Sequence, residues 1–483
     1  MLIACSDGKL GRGVGRESRR ALRIRRRALV ILATASAQPT VKERLIRIQG
    51  GVPLRGTVSI GGAKNAALPA VAATLLTADE CVLNNVPDLA DIRTMTTLLA
   101  ALGAEVEHDP ARRRVRVRAQ RITSTDAPPE IVRQMRASFL VAGPLLARFG
   151  EVGASTPGGC QLGARPVDVD VRGFRQMGAD VAFEPDGSRM AARSVGLRGA
   201  RIFMDYPSHT GTENLLMAAT LASGRTRIVN ASCEPEIVFL GNMLNRMGAR
   251  ISGLGSPVVT IEGVDRLHGV SETILPDRLE AGTFAIGAAI TGGEVTLRSV
   301  HAPDMTPVTA KLREAGAEVW TDEDRMLVRA GGELRALEIQ TLPFPGFPTD
   351  LQAAFAALMT QARGTSRLVE RVFEDRLRYT DELCKLGADI SVERHLALDG
   401  DGAPIPGAIR YGNRAEIVGP TRLRGGRVRC LDIRAGAGVV LAGLAAEGET
   451  LIGDPHHLDR GYESFVPKLR TLGARIDEIG AAD

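Results

Sequence analysis

A short phrase returns six times along this 483-residue chain, each time at the end of a stretch with helical periodicity. It reads Leu102-Gly103-Ala104-Glu105-Val106, Met177-Gly178-Ala179-Asp180-Val181 and Met247-Gly248-Ala249-Arg250-Ile251. It continues as Ala315-Gly316-Ala317-Glu318-Val319, Leu386-Gly387-Ala388-Asp389-Ile390 and Leu472-Gly473-Ala474-Arg475-Ile476. Successive glycines lie 68 to 86 residues apart, which marks one supersecondary unit copied along the chain. The unit is plainest in residues 72–106. A helix through 70–76 precedes a strand at 81–86, and Pro87-Asp88 opens a second helix. That helix sets Leu89, Ile92, Met95, Leu99 and Leu102 on one face, and Gly103 supplies its left-handed stop. The same order recurs in 218–251, 287–319, 356–390 and 442–476. Each copy has one apolar helix face and one apolar strand face, so neighbouring copies must bury each other. Periodicity alone leaves a solenoid, a ring and two globules of three copies open.

At this length a single ordinary core is excluded, and two or more domains are expected. No run approaches the roughly 18 apolar residues of a membrane span. The six cysteines include no Cys-x-x-Cys pair, which argues against a disulfide framework or a zinc site and for a reducing compartment. The net charge of +5 misleads, because residues 1–27 hold nine basic residues against two acidic ones and leave the body slightly acidic. The body is therefore no polyanion-binding surface by charge. Arginines alternate through 111–119, but no aromatic residues interleave with them, so the row reads as the wet face of a strand. Residues 25–38 imitate a signal peptide, yet the apolar stretch is short and alanine-rich; residues 1–43 read as a basic, disordered extension.

The copies differ in their chemistry. Only the second carries Pro157-Gly158-Gly159-Cys160-Gln161-Leu162-Gly163-Ala164-Arg165-Pro166-Val167-Asp168. Glycines give Cys160 a mobile turn and Arg165 brings a positive charge, a setting for a reactive thiol. Gly61-Gly62-Ala63-Lys64-Asn65 places a cation and free backbone N–H groups at a helix entry, suited to an anion, although the order is not that of a Walker loop. Arg136, Arg165, Arg434 and Arg460 stand beside small residues, a context for bidentate capture of phosphate or carboxylate. Asp350 opens a helix in Phe347-Pro348-Thr349-Asp350, where an N-terminal cap is the plain alternative.

Together these residues resemble the UDP-N-acetylglucosamine enolpyruvyl transferases (1-carboxyvinyltransferases) of the EPSP synthase superfamily, from about residue 45 to 479. The matching segments are Gly-Ala-Lys64-Asn65-Ala-Ala-Leu-Pro, Met-Arg136-Ala-Ser, the Cys160–Arg165 loop, Leu-Pro-Asp277-Arg278, Phe-Pro-Thr-Asp350, Val372-Phe-Glu-Asp-Arg376, Asp432-Ile-Arg434-Ala and Asp459-Arg460-Gly-Tyr-Glu. The resemblance implies an α/β (α+β) fold of two inside-out α/β barrels, each of three βαβαββ-type units about a pseudo-threefold axis. One domain would span 64–275; the other would join 44–63 to 276–483. The cleft between them would hold the active site, with the Cys160 loop as a lid that excludes water.

The implied reaction moves enolpyruvyl from phosphoenolpyruvate to the 3-hydroxyl of UDP-N-acetylglucosamine. It opens peptidoglycan synthesis, and with it cell-wall biogenesis, cell shape and division, in the cytoplasm. Neither cofactor nor metal is implied, nor a nucleic-acid or membrane partner. Lys64, Arg165 and Arg460 match the positions that hold phosphoenolpyruvate, with Asn65 beside the intermediate. Cys160 matches the proton donor, which can also form a phospholactoyl adduct, and Asp350 the general base. Asp432 and Arg434 would organise the closed site. Sugar-nucleotide contacts carry over to Arg136, Arg165, Pro166, Val167, Asp168, Val169, Asp350 and Val372. Two stretches depart from the pattern. Ser208-His209-Thr210-Gly211 replaces a Ser-Val-Gly-Ala run, with Tyr206 where some relatives place a lysine, and Gly436 and Gly438 replace serines, which is expected to loosen that segment.

The enzyme making 5-enolpyruvylshikimate 3-phosphate shares the implied fold and donor but lacks the Cys160 loop, and its Gly-Asn-Ala-Gly-Thr segment is absent here. A non-catalytic nucleotide-sugar scaffold need not keep Lys64, Cys160, Asp350 and Arg460 together. A cysteine among cations favours its thiolate, whereas an acid must hold its proton, so bound anionic phosphoenolpyruvate is expected to gate protonation. Thiol alkylation followed against pH should place the Cys160 midpoint higher with both substrates bound; an unmoved midpoint rejects this gating.

Overall fold

Twelve α-helices of the repeated units fall into two kinds, and the difference sets the architecture. The first kind is buried along most of its length: Lys64–Ala73, Ala142–Phe149, His209–Ala219, Arg278–Ile290, Gln352–Met359 and Ile433–Ala445. Alanine and glycine make up half or more of Lys64–Ala73, Gln352–Met359 and Ile433–Ala445, as suits helices surrounded by protein. The second kind has one apolar stripe: Ala90–Ala101, Asp168–Gln176, Pro235–Arg246, Thr306–Glu314, Thr380–Lys385 and Phe465–Thr471. All six are followed by the glycine of the repeated phrase, at φ between +90° and +105°, the left-handed conformation that ends a helix. The computed structural model describes residues 44–155, 167–398 and 404–480.

Among the described residues six small sheets accompany the helices, five of four strands and one of three. In the first unit Glu80–Asn84 pairs antiparallel with Arg114–Arg118 and parallel with Ser271–Thr273, so the end of the third copy closes onto the first. Val115 and Val117 face inward from the arginine-rich strand while its arginines line the outer face beside Glu80 and Glu107. The N-terminal strands join distant partners. Leu45–Gln49 lies between Glu449–Gly453 and Arg475–Ile479, and Arg55–Ser59 runs parallel to Glu294–Arg298.

The buried apolar residues form two separate cores. One gathers Ala63 to Ile274; the other joins Ile46, Ile48, Leu54, Val58 and Ile60 to residues from Leu279 to Ile476. The chain passes between them along two adjacent segments joined by an antiparallel bridge at Gly62 and Pro276. There Ala63 N donates to Leu275 O at 2.7 Å and Asp277 N to Gly61 O at 2.8 Å. Polar side chains also cross. Glu463 accepts from Asp88 N at 2.8 Å and pairs with Arg113 at 2.9 Å, while Glu236 and Arg278 form a buried ion pair at 3.0 Å.

Three local expectations need correction. The first helix starts at Lys64 rather than 70 and runs through Pro69, because burial of nearly its whole length outweighs the proline. The helix after Pro87 begins at Ala90, since the Asp88 backbone N–H is taken by Glu463 and its carboxylate by Arg93. Nor do Gly436 and Gly438 loosen their segment. A β-carbon at 436 would lie 2.9 Å from Cys430 Sγ, so that glycine makes room for a side chain, and one at 438 would lie 2.6 Å from Ala353 O, so Gly438 lets helices Ile433–Ala445 and Gln352–Met359 meet backbone to backbone. Gly438→Ala should therefore cost about 1–3 kcal/mol of stability through overpacking, read as a lower urea midpoint at unchanged slope.

Candidate active site

A buried helix can offer a ligand only its end, and each of the six central helices begins with a charged or polar side chain from the sequence motifs. Lys64 is the first residue of Lys64–Ala73, and Arg136 opens the 3₁₀ turn Arg136–Val141 that leads into Ala142–Phe149. His209 and Arg278 begin their helices; Asp350 lies in the turn Thr349–Leu351 before Gln352–Met359; Arg434 is second in Ile433–Ala445. Unsatisfied N–H groups and the positive end of the dipole collect at such ends.

Asp91, near the start of helix Ala90–Ala101, ties the first group together. Its Oδ2 lies 2.6 Å from Lys64 Nζ, and Arg460 Nε donates to its Oδ1 at 2.9 Å. Lys64 and Asp91 are both buried. Burial, with Arg434 and Arg460 nearby, pulls the Lys64 ammonium below its ordinary pKa, and Asp91 opposes that fall. Burial works against the Asp91 carboxylate too, but Lys64 and Arg460 outweigh it and hold its pKa below the usual range.

Asp350 centres the second group. Arg376 Nη2 donates to its Oδ1 at 2.8 Å, and Arg434 Nε lies 3.4 Å from its Oδ2. It caps no helix, and two guanidiniums flank its carboxylate. Asp432 takes the capping role instead, accepting from Arg434 N at 2.8 Å and Ala435 N at 2.9 Å. It thereby fixes the backbone that carries Arg434, whose buried Nη1 has no hydrogen-bond partner among the described residues. Asp350, with Asp432, Glu370 and Asp277 nearby, offsets Arg376 and Arg434, whereas around Lys64 three cations (Lys64, Arg434 and Arg460) meet the single carboxylate of Asp91. This local surplus of positive charge suits a multiply charged anion.

Val372 belongs here through Glu370. That buried carboxylate accepts from Val372 N at 2.6 Å, Phe373 N at 2.9 Å, Thr349 Oγ1 at 2.7 Å and Gln352 Nε2 at 2.5 Å. Asn65, half-buried, follows Lys64 in the same first turn. Arg136 and Val167 line a small pocket with Phe139, Leu140, Asp170, Thr210 and Asn214. Asp170 accepts from Asn214 Nδ2 at 2.9 Å, and burial pushes its pKa up to about 6. Asp168 lies outside this pocket's lining and pairs with Arg172 at 3.6 Å on the surface. Val169 packs against the departing loop, where a β-carbon at 211 would lie 2.8 Å from its Cγ1, so Gly211 provides the room. Cys160, Arg165 and Pro166 lie outside the described residues, as does the basic extension 1–43.

The 206–211 loop changes the kind of charge it carries. Burial and the nearby Glu234 and Glu370 raise the Tyr206 phenol to about 12, so it stays neutral. His209 Nδ1 lies 3.5 Å from the buried Glu213. Burial disfavours the imidazolium, but Glu213, Glu234 and Glu236 outweigh it and raise His209 to about 10.

Three residues that structure the site were not singled out from sequence as site residues. Arg376 stood inside a matched motif, while Asp91 and Glu370 gave no signal beyond an acid at a helix start and an acid ending a strand. Among the described residues no group of three or more His, Cys, Asp and Glu is placed to hold a metal, and no helix is long and apolar enough to cross a membrane.

With this geometry in place, the comparisons agree on the class. Residues 48–469 match the family model of EPSP synthase (3-phosphoshikimate 1-carboxyvinyltransferase). The fold is similar to that of the enolpyruvyl transferase NikO from Streptomyces tendae, with a TM-score of 0.80 at 23% identity over 90% of this chain and 99% of that one. EPSP synthase from Acinetobacter baumannii is also similar, at 0.68 and 18% over the same shares. Among sequences, UDP-N-acetylglucosamine 1-carboxyvinyltransferase 2 of Carboxydothermus hydrogenoformans is 49% identical over 434 residues, 89% of this chain and 98% of its own. UDP-N-acetylglucosamine 1-carboxyvinyltransferase of Magnetococcus marinus is 48% identical over 90% and 99%. The chain belongs to the UDP-N-acetylglucosamine 1-carboxyvinyltransferase family, within the enolpyruvyl transferase class that its fold defines.

The His209 environment yields a pH test. A pKa raised on folding stabilises the fold fully below the unfolded value of about 6.5 and loses that effect as pH rises through about 10. Urea unfolding of the protein and of His209→Gln at several pH values should show their stabilities converging between pH 7 and 10.

Proposed function

We infer that the protein transfers the enolpyruvyl group of phosphoenolpyruvate to the 3-hydroxyl of UDP-N-acetylglucosamine and releases inorganic phosphate. The observation that carries this reading is the joint placement of Lys64 and Arg460 on Asp91 and of Asp350 between Arg376 and Arg434, at the ends of buried helices. Lys64, Arg434 and Arg460 suit the phosphate and carboxylate of phosphoenolpyruvate, and Arg165 adds to them. Asp350 accepts the proton of the sugar hydroxyl as that oxygen attacks carbon 2, while Cys160 gives a proton to carbon 3. The tetrahedral adduct then loses phosphate from carbon 2 and a proton from carbon 3, which restores the double bond in the product. Asn65 lies beside the adduct. Arg136, Pro166, Val167, Asp168, Val169 and Val372 contact the sugar nucleotide, and Asp432 acts by fixing Arg434.

The two cores are read as two domains, 64–275 and 44–63 with 276–483, each an inside-out α/β barrel, with the reaction in the cleft between them. The activity opens peptidoglycan synthesis in the cytoplasm and makes Cys160 the target of the epoxide fosfomycin, whose ring a thiolate opens.

Protein starting near residue 44 should release phosphate from phosphoenolpyruvate only when UDP-N-acetylglucosamine is present. Release with shikimate 3-phosphate instead, or none from folded protein, rejects the reading. Asp350→Asn should lower kcat by about 10²- to 10⁴-fold, the usual contribution of one general base.

A further inference from the structure

Among the charged groups at the helix ends, Asp91 is the one that touches cations from both cores and has no part in the reaction as derived. We propose that Asp91 is a positioning residue of the phosphoenolpyruvate site, which keeps Lys64 charged and sets the angle of Arg460 by gripping each from the side. The proposal rests on the reading that Lys64 and Arg460 hold that substrate.

The geometry separates this role from an ordinary helix-start acid. A first-turn acid that serves the helix dipole is commonly solvated, whereas Asp91 is buried with only 4% of its surface exposed. Each carboxylate oxygen has its own cation. Oδ2 takes Lys64 from the same core, and Oδ1 takes Arg460 from the turn Pro455–Arg460, which precedes helix Phe465–Thr471 of the other core. The grip uses one of three ammonium protons of Lys64 and, at Arg460, only Nε. Among the described residues nothing else takes the other two ammonium protons or the terminal guanidinium nitrogens, and these suit a phosphate.

Charge makes the grip necessary. The groups that face Lys64 are Asp91, Arg434 and Arg460; those that face Asp91 are Lys64 and Arg460. Without the carboxylate, a buried ammonium would stand beside two guanidiniums, of which only Arg434 keeps a carboxylate, Asp350, and its pKa would fall further. A neutral amine holds a phosphate far less well. Loss of Asp91 should therefore show as a change in the pH at which the site works, beyond any fall in stability.

The test uses the protein with Asp91→Asn, Asp91→Ser and Asp91→Glu, each confirmed folded by thermal melting. Two readouts are compared. Competitive labelling with acetic anhydride, quantified on the Lys64 peptide, reports its neutral fraction without needing turnover. The expected result is labelling about tenfold or more faster at fixed pH in the Asn or Ser variant, since one pKa unit is a tenfold change in neutral amine. The basic limb of kcat/KM for phosphoenolpyruvate should move to lower pH in the same variants, with partial recovery in Asp91→Glu. Unchanged labelling in a folded variant, or a pH profile that only scales down, overturns the proposal. If the protein itself fails to turn over, the functional reading falls, while the labelling still decides whether Asp91 controls Lys64.

Discussion

Close approach between buried helices is the constraint on which the structure depends. Ile433–Ala445 and Gln352–Met359 meet where Gly438 faces Ala353 O, and Gly143 lies so near Asn214 that a β-carbon there would fall 2.4 Å from its carbonyl. Such contacts need small residues, which is why the central helices are rich in alanine and glycine. The same contacts cover the helix sides completely. Only the ends are left to meet a ligand, and the chemistry is therefore concentrated in residues such as Lys64, Arg136, Asp350 and Arg434.

Burying those ends brings an electrostatic cost that the structure meets with shared carboxylates. Asp91 serves Lys64 and Arg460, Asp350 serves Arg376 and Arg434, and Glu236 serves Arg278. An unpaired charge at this depth would be strongly destabilising, so each cation needs a neighbour. Two of these pairings, Asp91 with Arg460 and Glu236 with Arg278, also join the two cores. Opening or shifting one core against the other would expose or separate them, which couples the position of the cores to the charge state of the site.

Legibility followed the range of the interaction. The glycine stops could be read because a left-handed helix end is a local matter, and the structure shows all six. The alternation of buried and wet positions in Arg114–Arg118 was legible for the same reason. Asp350 and Asp432 look alike in sequence, each an acid before an apolar helix. Their roles diverge because Arg376 arrives beside Asp350 from a turn 26 residues on, whereas Asp432 finds its partners in the backbone N–H groups of Arg434 and Ala435 in the first turn of its own helix. Asp91 was illegible. Its partner Arg460 lies 369 residues away, in the other core, and nothing local to either residue announces the pair.

What the sequence by itself determined is the unit and its repetition: amphipathic helices with glycine ends, apolar central helices, alternating strands, and the motif residues placed at helix starts. These follow from periodicity and backbone preference, which act over a few residues. Only the tertiary structure decided which strands Leu45–Gln49 and Arg55–Ser59 pair with and in what register, that Glu370 orders the turn around Thr349, and that Asp91 bridges two cations. Those outcomes depend on which buried charge finds a partner once the chain has closed on itself. Burial selects that partner by distance in space, which separation along the chain does not encode.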